Sequence, residues 1–323
     1  MLTDLFEQAL SVPAAELELE LRGHCALPWA DYLLNPRRLR GSDFLMRWSQ
    51  GKWSEERIVQ AVDETGRYFA LPYGPSSTAP DEDVQAFELY FERLQQAGLG
   101  QLKRPDLLIF PAREKPQVAK AVERVGGIEE LPFTRQDRLG TMVRRAVLAI
   151  ECETSLWVTR QMPDYGRELK PMRRLGGRLG LPKGAVVPTV IVKEEDRGRL
   201  REWETQNAVP VHIWHVFYDL AFGISFGTFE TLVETGLVEP RHQVFQAPGG
   251  ATTTKVTYNC YYHHAYRLAE AREEPKLVAD YIADRNGHIL PYVRFEGGAM
   301  ELSTEALGVL DEAAKPKREA SKA

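Results

Sequence analysis

Cysteine is scarce in this chain. The three present, Cys25, Cys152 and Cys260, are odd in number and far apart, which argues against a disulfide framework and for a reducing cytoplasm. No CxxC pair occurs, so a structural zinc site has little support. No run of about 18 apolar residues exists, and a membrane-spanning helix is not expected. The acidic opening Met1-Leu2-Thr3-Asp4-Leu5-Phe6-Glu7 lacks the charged-then-apolar layout of a secretory signal. Internal repeats, a GxxxxGK[ST] phosphate loop and a G-x-S-x-G elbow are also missing. Cys152 lies between two acids that raise its thiol pKa, which disfavours a cysteine nucleophile. What remains is an ordinary globular profile, 43% hydrophobic and 27% charged over 323 residues. That is enough to bury the core of one large domain or two small ones.

The net charge of −5 speaks at first against a nucleic-acid partner. The sum hides a local excess. Between residues 160 and 183 stand seven basic residues, Arg160, Arg167, Lys170, Arg173, Arg174, Arg178 and Lys183, against two acids, Asp164 and Glu168. A DNA cleft needs only a local positive field, and the rest of the surface can be acidic. The alternative is a solvated loop and helix face.

Residues 1–100 are expected to be mainly helical. Ser54 is placed to cap a helix over 54–62, the Gly-Pro-Ser-rich stretch 73–80 is a break, and 81–96 carries Val84, Phe87, Leu89, Tyr90 and Leu94 at helical spacing before Gly98-Leu99-Gly100. From Arg104 the pattern changes. Short apolar runs at 106–110, 146–153, 186–192 and 209–218 have the length and composition of buried strands. Polar-rich helical periodicity separates them at 117–125 and 194–206. Strands alternating with helices give an α/β fold with a mixed sheet flanked by helices over 101–235. An α+β part is expected over 236–312, with a strand at 252–262 and a hairpin at 277–295 turning on Asn286-Gly287. The tail 313–323 is expected to be disordered.

The chemistry-bearing feature is a pair of strands with acids at their ends. Pro105-Asp106 opens one, and Glu151-Cys152-Glu153 closes another. Strand alternation puts Glu151 and Glu153 on one face, about 7 Å apart. An acid in an apolar strand is costly to bury unless a cation neutralises it. Converging with Asp106, these acids would make a hard oxygen site suited to Mg²⁺, able to act on a phosphodiester. The alternative is that they are sheet-edge acids paired with Arg144, Arg145 or Arg160.

Pro105-Asp106 followed by Glu151-Cys152-Glu153 resembles the PD-(D/E)XK nuclease signature, in the variant with glutamate at the lysine position. The stretch from Glu153-Thr154-Ser155-Leu156-Trp157 to Pro163-Asp164-Tyr165-Gly166, then Arg173-Arg174-Leu175-Gly176-Gly177-Arg178 and Pro188-Thr189-Val190-Ile191-Val192-Lys193, is similar to type II restriction endonucleases of the AccI type. The likeness spans about residues 100–220. It implies a nuclease core acting on double-stranded DNA, with Asp106, Glu151 and the Cys152 carbonyl as Mg²⁺ ligands. It also implies that Glu153 orients or deprotonates the attacking water. Lys193 is then the candidate for a migrated lysine, against the alternative of a surface lysine at a strand end. Glu129 and Glu130 could supply a further acid.

The same likeness favours DNA contact by Lys170, Arg173, Arg174, Arg178 and Lys183, where Gly176-Gly177 and Gly180 permit close backbone approach to phosphates. Palindromic sites mirror a two-fold axis, so a homodimer is implied. A non-catalytic DNA-binding protein and a repair or junction nuclease of the same superfamily are the rival expectations. His212 and His215, three apart in a strand, point to opposite faces and make poor joint ligands. Tyr261-Tyr262-His263-His264 is expected to pack in the core rather than face DNA.

Overall fold

Leu107 and Ile109 enter one apolar cluster while Leu108 and Phe110, their neighbours, enter another. This alternation, repeated on the next strands, shows a sheet with a core on each face. The computed structural model describes residues 40–74, 93–94, 103–246, 252–283 and 289–315.

The elements run α1 (Arg40–Asp63), β1 (Tyr68–Pro72), β2 (Leu107–Pro111), α2 (Lys115–Val125), α3 (Gln136–Val143), β3 (Leu148–Thr154), β4 (Lys170–Pro171), β5 (Leu179–Gly180), β6 (Thr189–Lys193) and α4 (Glu194–Asn207). Then follow β7 (Val211–Val216), β8 (Leu220–Ser225), α5 (Phe226–Glu234), β9 (Pro240–Gln246), β10 (Thr252–Tyr261), β11 (Tyr266–Glu273), β12 (Lys276–Ala283), β13 (Ile289–Glu296), β14 (Ala299–Leu302) and α6 (Thr304–Ala313). The main sheet has seven strands in the order β1-β2-β3-β7-β8-β11-β14. It is mixed: β3 and β7 run parallel and the other neighbours antiparallel. A second sheet, β6-β10-β9, contributes Val190, Val192, Tyr258 and Cys260 to the cluster on one face, together with α2, α3, α4 and α5. The opposite face is covered by α1 and α6, through Ile58, Ala61, Val62, Ala306 and Leu310.

Local chemistry explains the boundaries. The acids Glu194, Glu195 and Asp196 in the first turn of α4 complement the helix dipole. Gly126, at φ 105, ends α2 in a left-handed conformation that a side chain would resist. The Ser303 hydroxyl caps α6 by accepting from the Ala306 amide.

The expected mixed α/β arrangement is present, and the strands expected near 106–110, 146–153, 186–192, 209–218 and 252–262 all form. The hairpin strands β12 and β13 pair over eight positions, while the Asn286-Gly287 turn lies outside the described residues, as do the break at 75–80, most of the helix expected at 81–96, and the end of the tail. One expectation fails and another gains an addition. Ser54 does not open a helix: α1 is already under way at Arg40, and the Ser54 hydroxyl instead meets that of Thr154, 2.5 Å away. The region expected to be helical also contains a strand, β1, which pairs with β2 from Tyr68↔Pro111 to Pro72↔Leu107. Five consecutive residues with no polar alternation carry no period-two signal, so only the β2 partner defines that strand.

Candidate functional site

Asp106 sits at the entrance to β2 and Glu151 in the middle of β3. Because Leu107 pairs with Ile150 in an antiparallel ladder, these two acids are next in register. Asp106 is 6% exposed and Glu151 4%. The backbone carbonyl of Asp106 accepts from the amides of Tyr73 (2.8 Å) and Gly74 (3.0 Å), and its side-chain Oδ2 accepts from the Cys152 amide at 2.7 Å. Gly74 is required here: a Cβ would lie 2.9 Å from the Asp106 Cα.

The electrostatics are those of two crowded carboxylates. Burial pushes the Glu151 carboxyl well above the usual carboxylate range; the charge of Asp106 adds to the rise and the Lys103 ammonium opposes it. Glu151 Oε1 forms an ion pair with Lys103 Nζ. Its other oxygen, Oε2, is buried without a hydrogen-bond partner among the described residues. Burial pulls Lys103 down, but Glu151 and Asp106 more than offset it, so its proton is held more tightly than an ordinary lysine's. Glu153, on the same face as Glu151, pairs with Lys193 Nζ at 2.7 Å. Lys193 reaches the acid from the second sheet, and it too is raised: burial lowers it, while Glu153 reverses the sign.

The sheet-edge alternative fails in its specifics. Arg145 pairs with Glu114, and Arg160 with Asp219 and Glu270. Glu151 and Glu153 pair instead with Lys103 and Lys193. Cys152 points to the α1 side of the sheet and packs against that cluster. Burial, with Asp106 and Glu55 adding, pushes its thiol well above the usual range, so it is no thiolate. Glu130 is engaged by Arg93, and neither it nor Glu129 is among the charges acting on Glu151.

Asp106 and Glu153 both act electrostatically on Glu151. Among the described residues no group of three or more such side chains is arranged to hold a metal. The pair Asp106–Glu151 nevertheless fits a hard divalent cation that keeps its own waters and needs one or two carboxylates. The bare, buried Oε2 of Glu151 and the ammonium seated on Oε1 both mark the spot as one that asks for positive charge.

His212 and His215 lie on opposite faces, as strand geometry requires. Trp214 Nε1 donates to the Tyr266 hydroxyl at 2.7 Å, and that hydroxyl shares a hydrogen bond with His212 Nδ1 at 2.9 Å. His215 is register neighbour to Glu153, stacks on Phe217 with centroids 4.5 Å apart, and has no hydrogen-bond partner for either ring nitrogen among the described residues.

The basic segment leaves β3 along a pinned path. Asp219, in the β7–β8 turn, accepts from the Thr159 amide (2.6 Å) and hydroxyl and from the Arg160 amide (3.2 Å). Farther on, Asp164 accepts from the Val186 amide, the Tyr262 hydroxyl accepts from the Gly166 amide, and His263 Nε2 donates to the Arg167 carbonyl. Tyr262 and His263 therefore brace this segment, with Tyr262 also packed on the core. Of the five basic residues expected on DNA, Arg174 is tied to Glu239 and the Leu181 carbonyl, and Arg178 to the carbonyls of Leu175 and Thr235. Lys170, Arg173 and Lys183 are exposed and form no ion pair among the described residues.

Sequence reasoning missed Lys103 and Glu55. Lys103 had a signal, a base two residues ahead of Pro105-Asp106. Glu55, buried on α1 and acting on Cys152, had none.

Residues 33–162 match the family model described as AccI restriction endonuclease. The match covers 130 of the 323 residues, including Asp106 and the Glu151–Glu153 run. Over that stretch the chain is similar to AccI-type restriction endonucleases, which supports a restriction endonuclease role with DNA as substrate. It begins earlier than the likeness read from the sequence, takes in only Arg160 of the basic segment and stops short of β6. No curated protein and no solved structure matches the chain. Among the described residues no helix is long and apolar enough to cross a membrane.

Proposed function

We propose that this protein is a site-specific double-stranded DNA endonuclease, a type II restriction enzyme of the PD-(D/E)XK kind, acting in the cytoplasm as a homodimer. The observation that carries the proposal is the side-by-side burial of Asp106 and Glu151 on β2 and β3, inside the stretch that matches the AccI family model. Residues 101–235 form the nuclease core in this proposal, flanked by 1–100 and 236–312.

Asp106 and Glu151, with the Cys152 carbonyl, are the groups that would hold Mg²⁺. Bound there, such an ion would supply positive charge to the scissile phosphate and make its water a stronger acid. Glu153 would accept the proton of the attacking water, and Lys193 orients that carboxylate through their 2.7 Å pair. Lys170, Arg173 and Lys183 offer their charges to phosphates, while Arg174 and Arg178 hold the segment in shape.

Incubating the purified protein with plasmid DNA and Mg²⁺ tests this directly. Discrete fragments are expected. A smear would point to a repair or junction nuclease, and binding without cleavage under any divalent metal would leave only a DNA-binding protein. The basic segment has its own test. The triple variant Lys170→Ala, Arg173→Ala, Lys183→Ala should lower DNA affinity for all sequences alike and flatten the slope of log affinity against log salt by about 2–3. An unchanged slope would move the DNA elsewhere.

A further inference from the structure

Two like charges share a buried corner, and a third residue already answers them. Lys103 Nζ forms an ion pair with Glu151 Oε1, with side chains 23% and 6% exposed. The lysine is not there by chance of a loose loop. Its neighbour Arg104 is buried and donates to the Leu131 carbonyl at 3.0 Å and the Thr134 carbonyl at 2.6 Å, fixing the backbone from which Lys103 projects. The other lysine of the site, Lys193, is committed to Glu153. Among the described residues Lys103 is therefore the cation paired with Glu151, and it covers one oxygen of that carboxylate while the other has no hydrogen-bond partner there.

We propose that Lys103 is the built-in counter-ion of the Asp106–Glu151 pair, holding Glu151 in place until a divalent cation arrives and then yielding that carboxylate to it. The inference rests on the metal reading of the acid pair given above. Its logic is charge balance in a low-dielectric corner. Two carboxylates with one ammonium leave a net negative charge, which draws in a cation. A dication balances both acids alone and makes the ammonium surplus, so lysine and metal weaken each other's hold on Glu151. Lys103 is thus a positioning residue, setting Glu151 for the metal and lowering the metal's affinity.

Calcium titrated calorimetrically into the metal-free full-length protein reads this without any cleavage. Lys103→Met should bind Ca²⁺ about ten-fold more tightly than wild type, equivalent to about 1.4 kcal/mol. Lys103→Arg, which keeps the charge, should return to the wild-type affinity. Glu151→Gln should lose the Ca²⁺ signal. Melting in chelator completes the picture: Lys103→Met should be less stable than wild type without metal and gain more on adding Ca²⁺. That gain sets exchange apart from simple structural damage, which would weaken binding. Unchanged or weaker Ca²⁺ binding by a folded Lys103→Met or Lys103→Gln protein overturns the proposal, as does a wild type that binds no Ca²⁺. Tighter Ca²⁺ binding by Lys103→Met in a protein that cuts no DNA would sink the nuclease reading alone. Normal cleavage with no affinity gain would sink this inference alone.

Discussion

Asp106→Asn is expected to reduce DNA cleavage by at least about 10³-fold while leaving DNA binding and the fold in place. Asparagine is the informative substitution because of what Asp106 already does. Its Oδ2 accepts from the Cys152 amide at 2.7 Å, and an asparagine oxygen can still accept that bond. Alanine would leave a buried N–H unsatisfied, at a cost of about 1–3 kcal/mol, and would confuse misfolding with lost chemistry. Glu151→Gln should behave alike, since it removes charge at constant shape. Cleavage rates on plasmid, set beside gel-shift affinities in the same buffer, separate the two effects. Cleavage by Asp106→Asn within ten-fold of wild type would remove Asp106 from the mechanism.

Acid should unfold this protein through two strand histidines. Burial pulls His212 down to about 4 and His215 down to about 3, with Lys193 adding to the latter. Both values lie below that of an exposed histidine, so the unfolded chain binds protons that the native one refuses. Stability is complete above the unfolded-state value near 6.5 and falls as pH drops toward the folded-state values. Between pH 7 and pH 5 the loss is about 2 kcal/mol for each histidine. Glu151, whose carboxyl burial pushes up, acts in the opposite direction. His215→Phe keeps a ring against Phe217 and deletes two polar atoms that have no partner among the described residues. Urea unfolding at the two pH values should show this variant losing about 2 kcal/mol less stability than wild type. A drop as large as that of wild type would show that His215 is not the titrating group.

Much of the site was legible in the sequence because strand physics is local. Short β-branched runs ending in acids mark buried strands with charges at their mouths, and alternation places Glu151 and Glu153 on one face before any partner strand is known. What could not be read depends on long-range pairing. The strand at Tyr68–Pro72 has no period of its own and is defined by Leu107–Pro111, nearly forty residues away. The lysine partners of the acids lie on a loop and on a second sheet, so their approach follows from packing rather than from spacing. Basic residues carry the same ambiguity. Arg174 and Arg178 resemble Lys170 and Lys183 in the sequence, yet carbonyl oxygens and Glu239 engage the first two and solvent the others. Composition shows how many charges a segment has; only the fold shows which are available.

The pinning of residues 159–167 by Asp219, Tyr262 and His263 has a consequence for how such a protein can change. Fastened at both ends, this stretch is a ruler laid between the acids and the outward-facing cations. A residue inserted within it could not be absorbed as slack and would shift the exposed Lys170, Arg173 and Lys183 relative to the acids. Residues added beyond the last fastening would leave that calibration intact.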